Sequence, residues 1–104
     1  MEQAVIVHLP LDDSRFGTQE RREALFQLED ELIEAIELAE CGEFDGNEFG
    51  EGECVFYMYG PDADVIFMVV EVVLKEFPVA HGGFAIKRYG LADDPNAREI
   101  RVTW

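Results

Sequence analysis

Carboxylates supply most of the chemistry that this sequence could do. The run Asp45-Gly-Asn-Glu-Phe-Gly-Glu-Gly-Glu53 sets acids among glycines, and oxygen donors on a sharply bent backbone are what a divalent cation needs. Read as an EF-hand loop beginning at Asp45, the run has Asn47 third and Gly50 sixth, as that motif requires. Its fifth and twelfth positions are Phe49 and Phe56, where oxygen ligands belong. The EF-hand reading therefore fails. A looser divalent site built from Asp45, Asn47, Glu48 and Glu51, and with it a small metal-dependent enzyme, stays open as an alternative to a solvated, bulged hairpin. No metal ligand and no cofactor is assigned.

Other reactive residues are sparse. Cys41 and Cys54 form no CxxC pair and, with His8 and His81, show no zinc spacing. Both are expected to be reduced thiols serving as small buried hydrophobes. Ser14 and Thr18 have no neighbouring triad logic. Gly82-Gly83 is too short to cradle a phosphate and no Lys-Ser or Lys-Thr follows it. Tyr57 and Tyr59 share a strand face, but an RNA-stacking platform needs basic residues around it. The expectation is a protein without a catalytic residue.

Charge narrows the partners. The 104 residues carry 23 acids against 8 Lys and Arg, a net charge of −15. All of that excess lies in residues 23–74, which hold 15 acids and no Lys or Arg; the flanks balance. Nucleic acid is excluded as a non-specific partner, because phosphate contacts need cations. An acidic face attracts a basic protein partner with salt-sensitive kinetics, or simply keeps a small protein soluble. No apolar run reaches the ~18 residues of a membrane span. Met1-Glu2-Gln3 lacks a basic signal n-region, so the expected setting is cytoplasmic, with no membrane partner.

At 48% apolar residues the chain has the means to fold despite its charge, and its length suits a single α+β domain spanning 1–104. Residues 3–9 are β-branched and apolar on both faces, as in a central strand. A loop with turn residues Asp12, Asp13 and Ser14 follows. Leu25, Leu28, Leu32, Ile36 and Ala39 then repeat at helical spacing over 19–40. Thr18 suits the N-cap and Gly42 the left-handed C-cap. Strands are expected near 43–49 and at 53–59. Residues 63–77 read as helix, although Val65–Val73 is rich in β-branched residues, because Asp62 can cap the start and Pro78 stops the end. Strands at 84–89 and 98–104 complete the order β-α-β-β-α-β-β. The first six elements suggest a ferredoxin-like two-layer sandwich (βαββαβ) with a mainly antiparallel sheet of order 4-1-3-2. The C-terminal strand would add beside the fourth.

The second helix is apolar over far more of its girth than one sheet can cover. Val65, Met68, Val69 and Val72, or the sheet face beside them, are therefore candidates for a homodimer interface, the alternative being that the first helix, the 78–83 loop or the last strand covers that side. Asp45, Asn47, Glu48, Glu51, Asp62 and Asp64 are candidates for contact with a partner.

The segments Asp45-Gly-Asn-Glu-Phe-Gly-Glu-Gly and Tyr57-Met-Tyr-Gly-Pro-Asp-Ala-Asp64 resemble a small bacterial family that pairs D-G-N-E-x-G-x-G with Y-x-Y-G-P-D-A-D. The likeness covers roughly residues 43–90, including Arg88-Tyr89-Gly90. It implies no known activity, so no catalytic residue follows from it. In size, acidity and order of elements the chain is also similar to regulators that inhibit ribonuclease E, with no shared residue motif. The leading expectation is an acidic, non-catalytic, homodimeric binding or regulatory module. The alternative is an acidic inhibitor or immunity protein that covers a basic nuclease-like surface.

Overall fold

The computed structural model describes residues 2–11 and 17–104. The turn expected at Asp12, Asp13 and Ser14 lies outside the described residues. Two helices and five strands follow in the order β1 (Gln3–Pro10), α1 (Gln19–Ala39), β2 (Glu43–Gly50), β3 (Glu53–Gly60), α2 (Ala63–Glu76), β4 (Phe84–Arg88) and β5 (Glu99–Val102), with a 3-10 turn at Pro78–Ala80. The fold is α+β: a five-stranded sheet of order β2-β3-β1-β4-β5, every neighbouring pair antiparallel, under a layer of two helices.

Strand alternation divides the sheet into two faces. Val5, Val7 and Leu9 of β1, Cys54, Phe56 and Met58 of β3, and Ala85 of β4 share one face. There they join Leu25, Leu28, Leu32 and Ile36 of α1 and Ala63, Ile66, Phe67, Val70 and Leu74 of α2 in a single core. The helical stripe expected of α1 is thus buried along its first four members, whereas Ala39 is exposed. α1 lies over β2, and α2 packs on β1, β3 and β4.

Caps fix both helix starts. Thr18 Oγ1 accepts from Arg21 N at 3.1 Å, and Asp62 Oδ1 accepts from the amides of Asp64 and Val65 at 3.0 and 3.3 Å. This second cap, with Phe77 already extended ahead of Pro78, holds a β-branched segment helical. The end of α1 departs from expectation. The left-handed residue is Glu40, at φ 51° and ψ 37°, and Cys41 N reaches back to Ile36 O. Gly42 instead lies where a side chain would strike β3: a Cβ there would sit 2.2 Å from the Tyr59 carbonyl oxygen.

Glu40 thus combines left-handed strain with a negative charge at the negative end of a helix. Glu40→Gly removes both, against a modest entropic cost in the unfolded chain. The expected net gain is about 1 kcal/mol, read as a rise in Tm of ~4–8 °C.

The β2–β3 connection is a two-residue hairpin. Glu51 and Gly52 both have positive φ, 57° and 80°, as a type I′ turn requires. Between Phe44 and Gly46 the pairing slips by one residue, so Asp45 is the extra residue of a β-bulge. The glycine-rich segment is therefore a bulged hairpin at the sheet edge.

Candidate functional site

The six acidic-loop and helix-start candidates fall in separate places. Asp45 is exposed on the bulge. Asn47 points to the helix side and donates to Glu29 Oε1 at 2.5 Å. Glu48 is exposed on the opposite face, in register with Val55, and Glu51 occupies the hairpin turn. A two-residue period sends neighbours to opposite faces, so these oxygens do not converge. Among the described residues, no group of three His, Cys, Asp or Glu side chains is placed to hold a metal ion. Asp62 is spent on capping α2.

Asp64 belongs to a network that sequence spacing could not reveal. Its Oδ1 accepts from Lys87 Nζ at 2.8 Å and from Tyr89 Oη at 2.5 Å, joining the first turn of α2 to β4 and the residue after it. The Lys87 ammonium, then the Tyr89 hydroxyl, hold the Asp64 carboxyl below its usual range. The bond to Asp64 raises Lys87 in turn. It also raises Tyr89. Each shift reinforces the form ordinarily found at neutral pH, so none of the three is poised to exchange a proton there. The cluster works as a clamp. A lowered folded pKa gives stability that is present above the unfolded value and lost as pH falls through the folded one. The Tm advantage of the native protein over Asp64→Asn is therefore expected to be full above about pH 4 and to shrink towards pH 2. An advantage that persists unchanged in acid would contradict the clamp.

Two surfaces lie apart from the acidic candidates, and the first was expected from the sequence. The first is the outer strip of α2. Val65, Met68 and Val72 are 37, 62 and 61% exposed, with Val69 half-buried beside them. They point away from the stripe that α2 buries. Leu38 on α1, 78% exposed, adds a second apolar residue set on the helical layer.

The second is the sheet face away from the helices. Four registered rows lie on it: Glu43–Tyr59–Ala4–Arg88–Glu99, Gly46–Tyr57–Ile6–Ile86–Arg101, Glu48–Val55–His8–Phe84 and Gly50–Glu53–Pro10. The rings of His8 and Phe84 stack at 4.7 Å and 7°. The Arg101 guanidinium lies 3.7 Å from the Phe84 centroid, and His8 Nδ1 is 3.2 Å from Glu53 Oε1. A continuous chain of contacts thus runs from β5 to β3. Partial burial, then the Glu48 carboxylate, raises the Tyr57 hydroxyl, so it stays neutral at physiological pH.

The remaining candidates for chemistry are quiet. Cys41 and Cys54 are buried free thiols. Burial pushes the Cys54 thiol up to about 12, helped by the carboxylates of Glu29 and Glu53; burial also raises Cys41. Neither is a nucleophile at neutral pH. A shallow depression of roughly 430 Å³ is lined by Glu2, Gly42, Glu43, Tyr59, Gly60 and Pro61, and holds no nucleophile beside a base. No described helix is long and apolar enough to cross a membrane.

No protein-family model matches the chain, nor does any curated protein sequence or any solved structure.

Proposed function

We propose that this chain is an acidic, non-catalytic binding or regulatory module of the cytoplasm that acts as a homodimer. The observation that carries this reading is apolar surface left without cover on both sides of the molecule: Val65, Met68 and Val72 stand exposed on α2, and Ile6, Tyr57, Phe84 and Ile86 lie on the sheet face that no helix covers. Contiguous exposed apolar surface of this kind marks an interface. Val65, Met68, Val69 and Val72, or the uncovered sheet face, would meet the second copy. A ferredoxin-like sandwich with one added strand is the matching fold assignment, supported by the strand order and by both helices packing on one face.

The charge block favours a second reading, an inhibitor or immunity protein for a basic nuclease-like partner. Fifteen acids and no base in residues 23–74 would steer such a partner at low ionic strength. Asp45, Glu48, Glu51, Asp62 and Asp64, with Asn47, are then the candidates for contact.

Sedimentation at tens of micromolar tests the homodimer. A single 11.8 kDa species at physiological salt would overturn it. Capture of a basic protein at low salt and its release at high salt would favour the second reading. The absence of any such capture would weigh against it.

A further inference from the structure

We propose that the sheet face away from the helices is where the second copy docks, through a two-fold axis running along β1. This rests on the homodimer reading and assigns its surface. The centre of the face is mostly apolar: Ile6, Tyr57 and Ile86 in one row, and in the next Val55 and Phe84 on either side of His8, whose Nδ1 is 3.2 Å from Glu53 Oε1. Ile6, Tyr57, Ile86 and Phe84 are half-buried and none joins the core on the helix side.

The two edges flanking this centre differ in charge: the β2 edge is acidic and the β5 edge mixed. On the β2 edge stand Glu43 and Glu48, one on each side of Gly46. On the β5 edge stand Arg101, in the same row as Gly46, and Glu99, in the row of Glu43. A two-fold along β1 reverses the order of strands and keeps the rows, so it lays β5 of one copy over β2 of its mate. Arg101 then comes opposite Gly46, between the two carboxylates, and the contact occurs twice. Gly46 leaves the room: a Cβ there would meet nothing within 4 Å. The guanidinium lies over the Phe84 ring at 3.7 Å, leaning towards the row that carries Glu48. In the central row Ile6 meets its own copy and Tyr57 meets Ile86, an aligned packing of two sheets. Glu99 faces Glu43 at the corner of the contact, with Arg88 as its register neighbour across the ladder.

The α2 strip offers no such match. α1, in the same helical layer, carries the exposed acids Asp30, Glu31, Glu34 and Glu37, and Lys75 of α2 is paired with Glu71. A two-fold there sets acid against acid.

Charge reversal tests the assignment. Wild-type protein is expected to sediment as a dimer. Arg101→Glu, or Glu43→Arg with Glu48→Arg, should raise the dimer dissociation constant about tenfold or more at low salt. Combining all three substitutions should restore it. Val72→Glu should leave the dimer intact. All these positions are on the surface, and circular dichroism confirms that each variant is folded. A monomeric wild type would overturn the homodimer reading itself. A wild-type dimer indifferent to Arg101→Glu, or one not restored by the triple change, would overturn only this surface. If Val72→Glu also splits that dimer, α2 is the interface.

Discussion

Gly42→Ala is expected to destabilise the protein by about 3 kcal/mol or more, enough to leave a substantial fraction unfolded at physiological temperature if the parent is of ordinary stability. The added Cβ would stand 2.2 Å from the Tyr59 carbonyl oxygen, 3.1 Å from its carbon and 3.2 Å from Gly60 Cα. All three atoms are backbone, near the end of a strand paired on both sides, so none can swing aside. The approach is reciprocal: a Cβ on Gly60 would lie 2.4 Å from the Cys41 carbonyl oxygen. The chain leaving α1 and the chain ending β3 therefore pass closer than any side chain allows. Urea titration reads the effect as a lower midpoint with an unchanged slope. Gly46→Ala is the control, because the space above it is open; a change of no more than about 0.5 kcal/mol is expected. Equal effects at the two positions would show that the close approach is not what matters.

Phe56→Ala is expected to cost about 3–5 kcal/mol, the range for emptying a buried aromatic site. Phe56 is wholly inaccessible, faces the helices from β3, and has the Phe44 ring 5.5 Å away at 58°. Its partner across the ladder is Val7, and beyond that Ala85, so no larger side chain in that row can fill the space. Tyr57 is next in the chain but looks out from the opposite face. Its loss should cost the isolated fold far less, about 1 kcal/mol. Thermal unfolding of the two variants side by side, at a concentration low enough to keep the copies apart, measures how unequal the faces of one strand are. Comparable losses would mean that the sheet is not packed on one side only.

The local signals in the sequence were strong where the chain settles its own structure. The Leu25-Leu28-Leu32-Ile36 repeat, the caps at Thr18 and Asp62 and the stop at Pro78 each act within a few residues, and each appears in the structure. Gly42 was misread because its role is tertiary. Spacing suggested a cap, while the left-handed turn fell to Glu40, a residue type that rarely adopts it, and the glycine answers to β3 seventeen residues on. The Asp64–Lys87–Tyr89 clamp joins residues more than twenty apart, with no motif to announce it. The acidic run Asp45–Glu51 looked like a cluster because its members are near in sequence. Alternation and a bulge disperse them. The excess of apolar girth on α2 was legible, since it follows from counting residues around a helix. The open sheet face was not, because it needs the register of five strands at once.

The two sulfurs give this protein a built-in clock. Cys54 sits on the helix-facing side of β3, shielded by burial and by the carboxylates of Glu29 and Glu53, with its thiol held up to about 12. A thiol in that state does not react with an alkylating reagent until the strand parts from the helical layer and the thiolate regains its ordinary acidity. Modification of Cys54 under native conditions therefore counts openings of the core, one per event when labelling outpaces reclosure. Cys41, also buried but at the end of α1, counts fraying of the helix terminus. The difference between the two rates separates local from global opening in one tube, without an introduced probe.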